Sequence, residues 1–221
     1  MTTEVQAERT RVLNSRGLQS KEACQELYAK WAASYNADLT SESQNYTAPI
    51  LTAQTAVQNT DLVNNNNAQL TVLDAGCGTG LVGQALSQSG NMVIDGADFS
   101  PEMLKIANET GVYRDLFEAD LTLPIDRPDG TYDIVTCCGT LTSGHVGPAP
   151  ALREFVRVVK PGGIVVATVL HLVWVSGGYK AEVEKIEADG LARLVSADVK
   201  DYIKGAGDNA IYLVLQKTGS A

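Results

Sequence analysis

Leu73-Asp74-Ala75-Gly76-Cys77-Gly78-Thr79-Gly80-Leu81 is the stretch on which the fold of this chain turns. It closes a short apolar run, Gln69–Ala75, that reads as a buried strand, and it opens a helical stretch, Leu81–Ser89. Glycines between a strand and a helix let the backbone approach a ligand closely and adopt conformations closed to other residues. Working outward, Asn91–Ala97 reads as a second strand. Ser100-Pro101-Glu102 then opens a helix, with a hydroxyl cap, proline in the first turn and an acid near the positive end. Asp115–Ala119, Tyr132–Cys138 and Ile164–Leu170 read as further strands. Between the last two, Pro150–Lys160 reads as a helix with Arg153, Arg157 and Lys160 toward its negative end, stopped by Pro161-Gly162-Gly163. Strands alternating with helices predict crossover units on a parallel sheet. The tail differs: a helix near Tyr179–Asp189 leads to Leu191–Ile203, a Gly/Asp/Asn turn and Ile211–Gln216, which predicts an antiparallel hairpin at one edge.

Upstream of the loop, Leu27, Tyr28, Trp31 and Tyr35 recur at three- and four-residue steps and make one face of a helix. A second helix is expected over Tyr46–Val63, ending in the turn Asn64–Asn67. The organisation expected is one α/β domain with a flexible N-terminus (1–19), a helical cap (20–63) and a core (64–221).

The chain has 221 residues, with 17 basic and 26 acidic side chains and a formal charge of −9. That length buries enough surface to fold without disulfides or metals. The charge argues against a nucleic-acid partner. Cysteines at 24, 77, 137 and 138 have no zinc-knuckle spacing, and His145 and His171 are the only histidines, so no metal is expected. The N-terminal residues carry charges throughout, unlike a secretory signal. The longest apolar run, Gly162–Val175, is too short to cross a bilayer. A soluble cytoplasmic protein, a monomer or homodimer without membrane contact, is the expectation.

Gly78, Gly80 and Gly83 satisfy the G-x-G-x-x-G pattern, and Asp98 follows at the distance a dinucleotide fingerprint asks. Asp74 argues otherwise. A carboxylate beside the loop repels a pyrophosphate and suits a ligand with a cationic amine and a sulfonium, as in S-adenosylmethionine. The pattern D-x-G-x-G-x-G, with Asp98 and then Ala119-Asp120-Leu121, resembles the class I S-adenosylmethionine-dependent methyltransferases. YAKWAASYNADL, LDAGCGTGLVG, DGADFSPEMLKIA, DIVTCCGTLTSGHV and ALREFVRVVKPGG together are similar to the small methyltransferase-like group named for the Williams–Beuren region.

The resemblance implies a Rossmann-like seven-stranded sheet in the order 3-2-1-4-5-7-6 with one antiparallel strand. It implies that Asp74, Gly76, Gly78 and Gly80 surround the methionine part of the cofactor, and that Asp98, with Phe99 beside it, accepts the ribose hydroxyls. Asp120 would take the adenine amino group, with Leu121 and Met103 against the ring faces. Tyr28, Trp31 and Tyr35 would form a lid over the cofactor, against the plainer alternative of core packing. Cys138-Gly139-Thr140-Leu141 departs from the Asn/Asp-Pro-Pro-aromatic turn of amino-directed nucleobase and glutamine methyltransferases. Asp120, Asp126, Asp129 and Asp133 are scattered, unlike a magnesium-binding triad.

Ligands in open parallel sheets bind beyond the carboxyl ends of the strands. Both histidines fall there. His145 is the expected base or acceptor-positioning residue and His171 its rival, since imidazole suits proton transfer near neutral pH. Trp174 would either line an apolar acceptor pocket or pack the edge. Methyl transfer to a small molecule, at oxygen, is the expected function. The alternative is a fold that binds S-adenosylmethionine but works as a cyclase or partner protein.

Overall fold

The computed structural model describes residues 21–63, 69–142 and 145–219. The expectations for residues 1–19, for the asparagine turn and for Ser143-Gly144 lie outside these. The strands are β1 (Leu70–Ala75), β2 (Met92–Asp98), β3 (Tyr113–Glu118), β4 (Tyr132–Leu141), β5 (Val159–Leu170), β6 (Ala192–Ile203) and β7 (Asp208–Lys217). The helices are α1 (Lys21–Thr40), α2 (Ala48–Gln58), α3 (Leu81–Ser87), α4 (Pro101–Glu109), α5 (Ala151–Val158) and α6 (Tyr179–Ala188).

The sheet order is β3-β2-β1-β4-β5-β7-β6. β7 runs antiparallel to both β5 and β6, and the other pairings are parallel. Successive residues of the inner strands feed opposite faces, as a period of two requires. Leu73, Val135, Val165 and Leu213 join one core with Phe155 of α5 and Ile186 of α6. Val72, Ile134, Ile164 and Val214 join another with Ala53 of α2 and Leu86 of α3. Both faces are covered, which is why these strands read as continuous apolar runs.

The helical cap divides into two different parts. α2 presents Thr52, Ala53 and Ala56 as a small-residue face and packs on the sheet, so it belongs to the core. α1 alone lies across the carboxyl end, where Trp31 and Leu39 form a third cluster with Tyr202, Ile203 and Tyr212. β5 begins earlier than expected. Pro161-Gly162-Gly163 does not end a helix; it lies within an irregular entry to the strand, where the register jumps between Tyr132↔Val159 and Ile134↔Ile164. A side chain at Gly163 would stand 2.7 Å from the Asp133 carbonyl, so the chain needs glycine to pass there.

Candidate active site

The glycine loop leaves β1 and is tied to the end of β2 by Gly76 and Cys77, whose amides donate to the Ala97 carbonyl at 2.7 and 2.9 Å. Gly76 and Gly78 both have positive φ, at 74° and 53°. Their surroundings differ. A Cβ on Gly76 would meet Thr140 Oγ1 of β4 at 2.2 Å, whereas one on Gly78 would find nothing within 4 Å. Gly78 is therefore the point of the loop that a ligand can approach. Gly83, the third glycine of the apparent dinucleotide pattern, has a packing reason instead. Its missing side chain makes room for the Tyr113 phenol, which would lie 2.3 Å from a Cβ.

Asp98, at the end of β2, is 7% exposed and accepts from the amides of Gly78 and Ser100, each at 2.9 Å. Burial pushes its pKa up to about 6, opposed by those amides. The helix cap beside it is Ser100, whose hydroxyl accepts from Met103 N at 3.3 Å, as the hydroxyl-proline-acid pattern predicted. Asp74 corrects the expectation placed on it. Its carboxylate is fully buried beneath the loop, accepting from the Tyr113 hydroxyl at 2.8 Å and the Thr136 hydroxyl at 3.0 Å. Burial raises it too to about 6. Asp74 props the loop from below; its neighbours Tyr113 and Thr136 come from other strands, which the motif cannot show.

Asp120 sits in the loop after β3, where its Oδ1 accepts from the amide and hydroxyl of Thr122 at 2.9 and 2.6 Å. Leu121 belongs to the same core as Ile125 and Phe155, and Met103 is buried on α4. The Phe99 ring meets Tyr28 edge-on at 6.2 Å. α1 is pinned to this end of the sheet in two places. Gln25 Nε2 donates to the Phe99 carbonyl at 3.3 Å, and the Thr79 hydroxyl donates to Asn36 Oδ1.

A second feature lies beside the loop, at the ends of β4, β5 and β6. A cavity of about 40 Å³ is lined by Tyr28, Trp31, Tyr35, Leu39, Tyr46, Gly139, Thr142, His145, Leu170, Tyr202 and Ile203. As it stands this holds only a few water molecules, so a larger guest needs α1 to move. His145 Nε2 lies 3.2 Å from the Tyr28 hydroxyl, and its Nδ1 is buried without a hydrogen-bond partner. Burial lowers the pKa of the imidazole below its usual value, which favours the uncharged form. The structure separates the two histidines. His171 is exposed on a short 3-10 turn and does not line the cavity, because β5 ends at Leu170 and the chain turns outward. Trp174 packs against the sheet core and lines no part of the cavity. Sequence reasoning missed Tyr46 and Tyr202, which an isolated bridge between Tyr46 and Ile203 brings together. No local pattern marks either.

The open space at Gly78 and the acceptor-only Asp98 carboxylate next to it fit an S-adenosyl ligand with ribose hydroxyl donors. Among the described residues no three His, Cys, Asp or Glu side chains gather as a metal site, and no helix is long and apolar enough to cross a membrane.

Residues 72–163 match a family model described as a methyltransferase domain. With the sheet order above, this places the chain in the class I S-adenosylmethionine-dependent methyltransferases. Its similarity extends to human methyltransferase-like protein 27, which is 35% identical over 161 residues, 72% of this chain and 63% of that relative. A ubiquinone biosynthesis O-methyltransferase of Escherichia coli is 31% identical over 143 residues, 61% of this chain and 57% of the relative. The matched stretch is thus less than two thirds of the length of either. Among solved structures, a TehB-like S-adenosylmethionine-dependent methyltransferase from Corynebacterium glutamicum shares the fold. Its TM-score is 0.61 at 21% identity, over 86% of this chain and 98% of that one.

Proposed function

We propose that this protein transfers a methyl group from S-adenosylmethionine to an oxygen of a small-molecule acceptor, with His145 as the base. The observation that carries this reading is the buried His145 imidazole lining a cavity at the carboxyl end of the sheet, with Nδ1 unpartnered. The curated relatives that act at oxygen support the choice of atom. When bound, the cofactor supplies a sulfonium methyl with a good leaving group, so the protein has little covalent chemistry to perform. Asp98 holds the ribose hydroxyls, and the backbone at Gly78 lies against the ligand. Asp120 and Leu121 border the adenine. Tyr28, Trp31 and Tyr35 on α1 exclude water and hold the acceptor in line, where positioning lowers the barrier most. His145 takes the acceptor hydroxyl proton, and Tyr28, 3.2 Å from Nε2, orients the ring.

The test has two stages. Calorimetry with S-adenosylmethionine establishes binding, and transfer of a labelled methyl group to phenols and enols establishes the reaction. At saturating cofactor, His145→Ala is expected to lower turnover roughly 10²–10⁴-fold. The wild-type acid limb should lie below pH 6.5, because burial lowers the imidazole from that value, and the variant should lose that limb. Full turnover in His145→Ala, with an unchanged pH profile, returns the residue to the scaffold. Binding without transfer to any acceptor favours the cyclase or partner-protein alternative.

A further inference from the structure

The cavity beside the loop is unusual in its chemistry. The chain carries 26 acidic and 17 basic side chains, yet among the described residues not one Asp, Glu, Lys or Arg lines it. Asp38 of α1 is not among the lining residues and accepts from the Trp31 indole N–H at 2.7 Å. The polar groups that do face inward are phenols, the Thr142 hydroxyl and His145. Burial holds the pKa of the Tyr35 and Tyr46 phenols well above its usual value, so they remain neutral hydroxyls. A carboxylate or phosphate entering here meets no cation, and an ammonium meets no anion. Burying an unpaired charge costs more than such hydroxyls return.

One pair of hydroxyls is built in. The Tyr46 hydroxyl donates to that of Tyr202 at 3.3 Å, and the two rings meet edge-on at 5.2 Å. Backbone contacts fix the pair: the Tyr46↔Ile203 bridge, and Thr47 N donating to the Tyr202 carbonyl at 3.1 Å. Both hydroxyls pass close over Gly139 of β4, where a Cβ would stand 2.8 Å from one and 3.0 Å from the other. The next residue, Thr140, is the one that contacts Gly76 of the glycine loop. The walls above are flat, with Trp31 and Tyr28 stacked at 17°.

We infer that this cavity, enlarged by a movement of α1, takes an uncharged, ring-bearing acceptor whose polar edge is held by the hydroxyl pair of Tyr46 and Tyr202. The inference rests on the methyl-transfer reading for calling the guest an acceptor, while the selectivity can be measured by binding alone.

Trp31 provides the readout. In a Trp174→Phe background it is the only indole, since the chain has two tryptophans. With S-adenosylhomocysteine at saturation, Trp31 fluorescence is titrated with p-hydroxybenzyl alcohol, p-hydroxybenzoate and p-hydroxybenzylamine, which share a ring and differ in charge. The neutral phenol is expected to bind at least about 100-fold more tightly than either charged one. Tyr46→Phe and Tyr202→Phe should each weaken it about 3–10-fold at unchanged melting temperature. No margin for the neutral phenol, tighter binding of a charged one, or indifference to both phenylalanine variants overturns the inference. Labelled methyl transfer to the same three compounds separates the two readings. Neutral-selective binding without transfer removes only the methyl-transfer reading; transfer onto a charged member removes only this one.

Discussion

At the ends of β1 and β2 the site is a contiguous loop, Asp74–Gly80, with one carboxylate on the next strand, and two buried acids lie within it. At the ends of β4, β5 and β6 it is assembled from residues as far apart as Tyr28 and Ile203, and among the described residues no Asp, Glu, Lys or Arg takes part. The first half offers an open backbone at Gly78 and the Asp98 carboxylate, which suit a ligand with hydroxyl donors. The second is shaped by aromatic walls and neutral hydroxyls, which suit a guest without charge. The halves touch where Thr140 fills the space of the missing Gly76 side chain.

The strongest way to break this division is at the junction. Gly76→Ala places a Cβ 2.2 Å from Thr140 Oγ1 in a left-handed backbone, and should cost about 2–4 kcal/mol of stability. Gly78→Ala meets only open space and should cost about 1–2 kcal/mol, for its backbone conformation alone. Urea unfolding of both variants checks the order. Equal losses would mean that the loop is packed alike at both glycines, leaving Gly78 no special claim to the ligand.

Asp98→Ala comes next. Cofactor affinity should fall roughly 10–100-fold, while binding of a neutral phenol in the other half stays the same. A matching loss on both sides would show the halves to be coupled. The same carboxylate predicts a pH dependence. Asp74 and Asp98 are raised from 3.8 to about 6, so ionising them costs the folded state. Their contribution to stability is present in full below about pH 3.8 and is lost as the pH rises through about 6. Cofactor that uses the ionised Asp98 should bind best above pH 6 and weaken below it. Melting temperature against pH, with and without S-adenosylmethionine, should show the gap between the curves widening through that range, and Asp98→Asn should flatten it.

The smallest effect sharpens the boundary of the second half. His171→Ala should leave turnover within about twofold, because the residue is exposed outside the cavity. A large loss there would move the acceptor site toward the turn after β5.

Which features were legible follows from the range of the contacts involved. Gly78 and Asp98 could be paired from sequence because the loop and the next strand are parallel neighbours, so their spacing is set by one crossover unit. The helix start at Ser100-Pro101 was legible because capping is satisfied within three residues. Asp74 was visible but misjudged, since the hydroxyls that enclose it arrive from β3 and β4. Gly83 completes a dinucleotide-like pattern by coincidence: its neighbour is Tyr113, thirty residues later in the chain.

The sequence by itself determined the alternation of strands and helices, the antiparallel hairpin at the end and the loop with its carboxylate. Each rests on periodicity, on caps or on glycine conformations, which act over a few residues. Only the tertiary structure decided which histidine is enclosed, that α2 belongs to the sheet, and that Tyr46 meets Tyr202 across 156 positions. Those outcomes depend on how the sheet twists its strand ends toward α1 and on which side chains are then shut away from water. Burial of that kind is a property of the assembled layers, and no short stretch of the chain carries it.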